Sequence, residues 1–395
     1  MKILHTSDWH IGQIFNFHYD RQEEHQFFIN ELKKIVSSEQ PDVFLLCGDV
    51  YDKGTPSSAS MRFFSDNLFE IVEANPGTVF VITAGNHDSG VRIEVDQEVW
   101  KRHNTYFVGS VERDGDNYLF DKHIIEVKDK GFIAAVPYLQ SYYNDFYNLV
   151  LAEIERRNSS SLPVVLMGHT TIGNSVFDSH EHTTINGRIS VGGIDSVGLG
   201  EIDDKYDYFA LGHIHTPQTL SNGKARYCGS PVQMNFKESY RHSVSIVEVA
   251  SRGAKPMIRE VPLTASKNFY TIPYKPKPLD EALTVLGDNL PEEAGYVQLN
   301  ILTDGFVPAD TENRIRNILK KNDKLLYCDF KTTRVSEKEA ATEFVPDFGL
   351  SEFKSQEPVD IARQYYAETQ NASLDESLVE LLKSVVDEVR NDANE

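Results

Sequence analysis

Apolar runs recur along the chain, and five of the segments that carry them end in residue types able to ligate a metal. They read KILHTSDWH (Lys2 to His10), DVFLLCGD (Asp42 to Asp49), VFVITAGNHD (Val79 to Asp88), LPVVLMGH (Leu162 to His169) and YFALGHIH (Tyr208 to His215). A short continuous apolar run suits a strand buried on both faces. Four of the five pass through a small residue before the ligand, as a chain leaving a strand would. Between the strands lie stretches of helical spacing. Asp20 to Ser38 places Phe28, Leu32, Ile35 and Val36 on one face, and Ser57 to Val72 repeats the pattern with Met61, Phe64, Leu68 and Ile71. Phe63, Phe64 and Phe69 spread around more than one face of this second helix. Strands also follow closely on one another at Ile124–Val127, Phe132–Val136 and Val244–Val249. The pattern predicts an α/β core of two packed sheets flanked by helices over residues 1–270.

A proline-rich stretch, Ile272 to Pro278, predicts an extended linker. Beyond it the spacing predicts a small α/β domain over 271–336: a helix from Leu279, a strand Tyr296–Leu302, a helix Thr311–Lys321 and a strand Leu325–Thr332. A linker over 337–356 and a helical segment over 357–395 complete the expected order. In that segment Leu374, Leu378, Leu381, Val385 and Val389 fall on one wide stripe, with Ser373 and Glu376 spaced as a capping box. The helix either closes a core of its own or docks on a partner.

The strand ends supply the candidate chemistry. Ligand sites in α/β folds gather at the carboxyl ends of strands. Five distant segments can therefore bring Asp8, His10, Asp49, Asn86, His169, His213 and His215 to one point. Oxygen and imidazole donors without thiolate suit Mn, Fe or Zn. Seven ligands exceed one four-coordinate ion and suit two ions sharing Asp49. Gly48, Gly85, Gly168 and Gly212 each precede a ligand, where a sharp turn or close approach is needed. His87 follows the ligand Asn86 and cannot easily face the same ion. It is the candidate general acid, with Asp88 beside it as the group that could orient it; a purely structural His87 is the alternative. His25 and the other histidines outside the motifs read as packing or surface residues. Arg92 either contacts substrate phosphate or pairs with a carboxylate.

The order D-x-H, G-D, G-N-H-D, G-H, G-H-x-H resembles the calcineurin-like metallophosphoesterases, over residues 1 to about 230. The opening MKILHTSDWHIG, GDVYDKGTPS, GNHDS followed by Arg92, LGHIHTPQ and YCGSPVQMNF (Tyr227 to Phe236) narrow it. They resemble the nuclease subunits of double-strand-break repair complexes. That resemblance implies a two-sheet metallophosphoesterase core, a capping domain that contacts DNA and a C-terminal helical segment that binds the coiled-coil base of an SMC-type ATPase. It implies two Mn ions, with Fe, Mg or Zn as other occupants. Asp8, His10, Asp49 and His215 would hold one, and Asp49, Asn86, His169 and His213 the other. ATP would be bound by the partner and not by this chain. The implied activity is double-strand exonuclease and single-strand endonuclease cleavage of DNA ends and hairpins, by a homodimer within a heterotetramer. Some relatives carry a second histidine after the GD motif where this chain has Asp52, so Asp52 is given no catalytic role.

Composition bounds these readings. The 395 residues carry a net charge of −21, which argues against a general DNA-binding surface. Residues 337–395 alone hold 15 acidic and 5 basic residues. From Thr311 to Lys338 the sign reverses, eight basic against four acidic. Arg314, Arg316, Lys320 and Lys321 lie there, as phosphate contacts or as an ordinary solvated helix face. No stretch reaches the ~20 apolar residues of a membrane span. No signal peptide is expected, since Asp8 and His10 interrupt the first apolar run. Three scattered cysteines do not make a disulfide framework, so a reduced cytoplasmic, nucleoid-associated protein is expected. The competing function is a phosphatase or phosphodiesterase of small molecules with the same metal core. The Tyr227–Phe236 segment, the extra α/β domain and the apolar tail weigh against it. A non-enzymatic scaffold would have lost ligands.

Overall fold

The computed structural model describes residues 1–139, 145–172, 202–220 and 222–334, with Val379, Glu380 and Lys383 of the C-terminal segment. The chain divides into two compact units, Met1–Asn268 and Phe269–Glu395. The first unit begins β1 (Lys2–Thr6), β2 (Ile14–Phe15), β3 (Tyr19–Asp20), α1 (Gln22–Glu39), β4 (Val43–Cys47), α2 (Ser58–Ala74) and β5 (Val79–Thr83). Then come α3 (Gly90–Ile93), α4 (Gln97–Trp100), β6 (Thr105–Val108), β7 (Arg113–Asp114), β8 (Asn117–Tyr118), β9 (Ile124–Val127), β10 (Gly131–Ala135) and α5 (Phe146–Arg157). It closes with β11 (Val164–His169), β12 (Tyr208–Gly212), β13 (Gln218–Thr219), β14 (Ala225–Tyr227), β15 (Ser243–Glu248) and β16 (Met257–Pro262).

Two six-stranded sheets result, in the orders β16-β15-β1-β4-β5-β6 and β13-β14-β12-β11-β10-β9. The centre of each is parallel: β1, β4, β5 and β6 in one, β10, β11, β12 and β14 in the other. Alternation along the strands builds three apolar layers. Ile3, Val43, Leu45 and Val81 turn inward to meet Ile133, Val165, Met167 and Ala210 of the facing sheet. Their neighbours Leu4, Phe44, Leu46 and Phe80 turn outward onto α1 and α2, and Leu166, Phe209 and Leu211 onto α5. Both faces of the central strands are thus covered, which is why VFLLC is buried throughout. This is the α/β, two-sheet core expected from the apolar runs, with parallel central strands whose carboxyl ends open on one edge.

Two expectations need correction. Phe63 and Phe64 are both buried in the outer layer, so of the three phenylalanines of α2 only Phe69 is exposed, packed edge-on against Trp100. The Ile272–Pro278 stretch is not a linker. Its residues 272–277 belong to β17 (Asn268–Lys277), an edge strand of the three-stranded sheet β17-β18-β19, and Pro278 caps the helix that follows. An edge strand needs no ladder hydrogen bond on its outer side and so tolerates proline.

The second unit continues with α6 (Leu279–Asp288), β18 (Gly295–Thr303), α7 (Thr311–Leu319) and β19 (Leu325–Arg334). Ala282, Leu286, Ile315 and Leu319 of the helices pack on Val297, Leu299 and Ile301 of β18. The apolar tail residues Leu374, Leu378, Leu381, Val385 and Val389 and the 337–356 linker lie outside the described residues. Val379, Glu380 and Lys383 are helical, with Val379 buried and the other two exposed.

Candidate metal centre

The carboxyl ends of β1, β4, β5, β11 and β12 deliver Asp8 and His10, Asp49, Asn86, His169, and His213 and His215 to one place. The turns off the strands are backbone-strained. Asp8 (φ 54°), His10 (φ 47°), Asp49 (φ 49°) and His213 (φ 97°) all adopt the left-handed region. Such conformations cost of order 1–3 kcal/mol each and persist where the surroundings over-determine them. The surroundings here are hydrogen bonds between the loops: Asp8 N donates to Gly48 O at 3.0 Å and His10 N to Asp49 O at 3.0 Å. The space is as tight as the backbone. A Cβ on Gly85 would sit 2.1 Å from Asp49 Oδ1, and one on Gly48 would sit 2.2 Å from His169 Nδ1.

Asp49 lies between two groups of donors. Its Oδ2 is 3.3 Å from His169 Nε2 and 3.6 Å from His10 Nε2. On one side His10 Nε2 faces His215 Nε2 at 3.2 Å, with Asp8 in the same group. On the other, Asn86 Oδ1 lies 3.0 Å from His169 Nε2 and 2.9 Å from His213 Nδ1. His169 is held from behind: its Nδ1 is 2.9 Å from Cys47 O, which assigns the proton to Nδ1 and turns Nε2 into the site. Both Asp8 oxygens accept from His213 N, at 3.0 and 3.2 Å, and Ser7 Oγ hydrogen-bonds the same carboxylate.

The electrostatics fit divalent cations. Burial, with the nearby Asp49 charge adding, pushes Asp8 up to about 7. Burial disfavours a charged His169, but Asp49 and Asp8 overcome this and raise it to about 9. Burial holds His10 well below the usual imidazole range. Two buried carboxylates sharing a pocket with four imidazoles whose lone pairs converge are an anionic donor set that positive charge must balance. Oxygen and nitrogen donors of this kind hold Mn, Fe or Zn. The residues present therefore fit a pair of such ions, with Asp49 placed to reach both.

His87 sits at the rim. Its backbone N donates to Asp49 Oδ1 at 2.8 Å, and its ring lies edge-on to His10 with centroids 4.8 Å apart. Its Nδ1 donates to the carbonyl oxygen of Asp52 at 2.8 Å. Burial opposes the charged form, yet Asp49 and the Asp52 carbonyl and carboxylate together raise its pKa. The orienting role expected of Asp88 is therefore a misassignment. Asp88 instead accepts three backbone N–H groups, from Val50 (3.1 Å), Tyr51 (2.9 Å) and Gly85 (2.9 Å), and so clamps the Asp49 loop to the Asn86 loop. Asp52, given no role on sequence grounds, both anchors His87 and places Oδ1 3.7 Å from His10 Nδ1. His25 does more than pack: its Nε2 donates to Trp9 O at 2.8 Å, bracing the loop between Asp8 and His10. Apart from the Asp52–His10 contact, these bonds have main-chain partners, which leave no side-chain signature to read from residue types.

The other candidates are more ordinary. Arg92 is exposed on α3 and forms no ion pair among the described residues. On α7, Arg314 pairs with Asp280, Arg316 pairs with Glu312 at 2.7 Å and lies 4.8 Å over the Tyr327 ring, and Lys320 Nζ donates to Asn317 Oδ1 at 2.8 Å. These contacts are those of a solvated helix face. Lys321 is exposed at its end.

A family model described as calcineurin-like phosphoesterase matches residues 1–217. The chain belongs to the calcineurin-like phosphoesterases, metal-dependent enzymes. Among curated relatives it is similar to the SbcD subunit of nuclease SbcCD from Rhodobacter capsulatus, 31% identical over 312 residues that span 72% of this chain and 75% of that protein. It is likewise similar to the SbcD subunit from Escherichia coli K12, 32% identical over 62% of this chain and 65% of the relative. For the Bacillus subtilis protein of the same name the identity is 27%, over 68% and 71%.

Proposed function

We propose that this chain is a Mn-dependent DNA nuclease, the catalytic subunit of an SbcCD-type complex. The observation that carries the reading is Asp49 lying between two donor groups with His87 at their rim; the similarity to SbcD nuclease subunits supports the choice of DNA. Asp8, His10, Asp49 and His215 would hold one ion, and Asp49, Asn86, His169 and His213 the other. Bound, the pair supplies charge to bind the scissile phosphate and stabilise its transition state. Asp49 is placed for this because its Oδ2 faces both His10 and His169, while its Oδ1 accepts from His87 N. Asn86 contributes a neutral oxygen, which limits negative charge facing the phosphate. His87, with Nδ1 fixed on the Asp52 carbonyl, presents Nε2–H to the leaving sugar oxygen and gives up its proton as the P–O bond breaks.

Double-strand exonuclease and single-strand endonuclease activity, including hairpin opening, belongs to this proposal. So do an SbcC-like ATPase partner that binds ATP and a place in the cytoplasm near the nucleoid. The homodimer would use Val91, Val95 and Val99, which are 76%, 72% and 61% exposed at four-residue intervals beside the centre, in place of the buried Phe63 and Phe64. The Leu374–Val389 stripe remains the proposed ATPase-docking helix. The test is incubation of the purified chain with Mn²⁺ on linear duplex, hairpin DNA and a chromogenic phosphodiester. Cleavage of all three supports the reading. Hydrolysis of the chromogenic diester with no attack on either DNA would favour the phosphatase or phosphodiesterase reading instead.

A further inference from the structure

His10 and His169 both face the Asp49 carboxylate, yet the far sides of their rings are backed differently. His169 Nδ1 lies 2.9 Å from a neutral acceptor, the Cys47 carbonyl. His10 Nδ1 is buried and has no hydrogen-bond partner among the described residues. A carboxylate stands behind it at 3.7 Å, Oδ1 of Asp52. That is about 0.8 Å beyond an ordinary N–H···O bond. The Asp52 side chain is 18% exposed and makes no other ion pair among the described residues, so nothing holds it away from His10.

The His10 ring can serve a metal in one way. Its Nε2 is 3.2 Å from His215 Nε2 and 3.6 Å from Asp49 Oδ2, so Nε2 is the atom turned into the centre. An imidazole that ligates through Nε2 carries its proton on Nδ1. That N–H is then a buried donor, and a buried donor without an acceptor is costly. A small rotation of the Asp52 carboxylate supplies the acceptor.

We propose that Asp52 is a positioning residue of the metal centre: its carboxylate accepts the Nδ1–H of His10 and so makes the ion at Asp8, His10, Asp49 and His215 the tighter of the two. The inference rests on the two-ion reading above and is independent of the choice of DNA as substrate. An acceptor behind a ligating imidazole fixes its tautomer and raises its basicity. A charged acceptor does so more strongly than a neutral carbonyl. The same ion would have two carboxylates, Asp8 and Asp49, where the other has Asp49 and the neutral Asn86. Both differences favour the His10 side. The main chain of Asp52 has a separate task, since its carbonyl holds His87 Nδ1 at 2.8 Å. Every substitution keeps that carbonyl, so side-chain variants report on His10 alone.

The test titrates the full chain, freed of metal, with Mn²⁺ by calorimetry and without nucleic acid. Wild type should take up two ions, and His213→Ala should remove the weaker phase, which identifies the tighter one. Asp52→Ala should weaken the tighter ion by roughly 10–100-fold and leave the weaker one unchanged. Asp52→Asn, which keeps an uncharged acceptor, should lose less. In the Zn²⁺-loaded chain the Nδ1 proton of His10 should give a slowly exchanging imidazole NMR resonance, assigned by its absence in His10→Gln and lost in Asp52→Ala. Unchanged affinity for both ions in Asp52→Ala, or an equal loss at both, overturns the positioning role. A wild-type chain that binds fewer than two ions overturns the two-ion reading instead.

Discussion

The His87 ring is held by the main chain of Asp52: Nδ1 donates to the Asp52 carbonyl at 2.8 Å, and the acid next to it in sequence, Asp88, faces the other way into three amides. The proton donation proposed for His87 and the loop clamping by Asp88 thus fall to two adjacent residues with separate partners.

His87→Ala should then retain metal and lower kcat by roughly 10²–10⁴-fold. Metal content by mass spectrometry is measured beside the rate. Loss of both ions together would make His87 a ligand.

Asp88→Ala strands three amides and should cost about 1–3 kcal/mol of stability or more. It should also weaken metal binding, because Val50, Tyr51 and Gly85 flank the ligands Asp49 and Asn86. Denaturant midpoints with and without Mn²⁺ check this. A variant as stable as wild type, with the same metal affinity, contradicts the clamp.

Gly85→Ala places a methyl group 2.1 Å from Asp49 Oδ1. The displaced carboxylate should lose its reach to both donor groups, and activity should fall more than ~100-fold by loss of a centre held within ~0.5 Å. Wild-type turnover by this variant would show that the centre tolerates displacement of Asp49.

Acid should destabilise the fold through histidines buried neutral. Burial lowers His5 to about 3, and His25 and His123 to about 4. In each case the unfolded chain takes up the proton first. Stability is therefore lost as pH falls below ~6.5, the unfolded value, by about 1.4 kcal/mol per unit per histidine, down to the folded pKa. Urea titrations between about pH 7 and pH 5 should show this slope, flattened by one proton's worth in His123→Gln. An unchanged slope in that variant would remove His123 from the explanation.

The sheets and the convergence of their strand ends were legible because apolar runs as continuous as VFLLC allow little but a strand covered on both faces. The proline-rich Ile272–Pro278 misled because proline is tolerated at a sheet edge, and edges are not visible in sequence. The glycines were legible for a steric reason, since Gly48 and Gly85 abut His169 and Asp49. The parts played by Asp52, Asp88 and His25 were hidden, because the hydrogen bonds that define them each have a main-chain atom on one side, which every residue possesses.

The most direct measurement is Mn²⁺ stoichiometry followed alongside phosphodiester hydrolysis, in wild type and Asp49→Ala. Two ions per chain, with activity rising only as the second binds and abolished in the variant, is the predicted result. Full activity of Asp49→Ala, or of the wild type under chelation, would contradict a centre of two ions shared through Asp49.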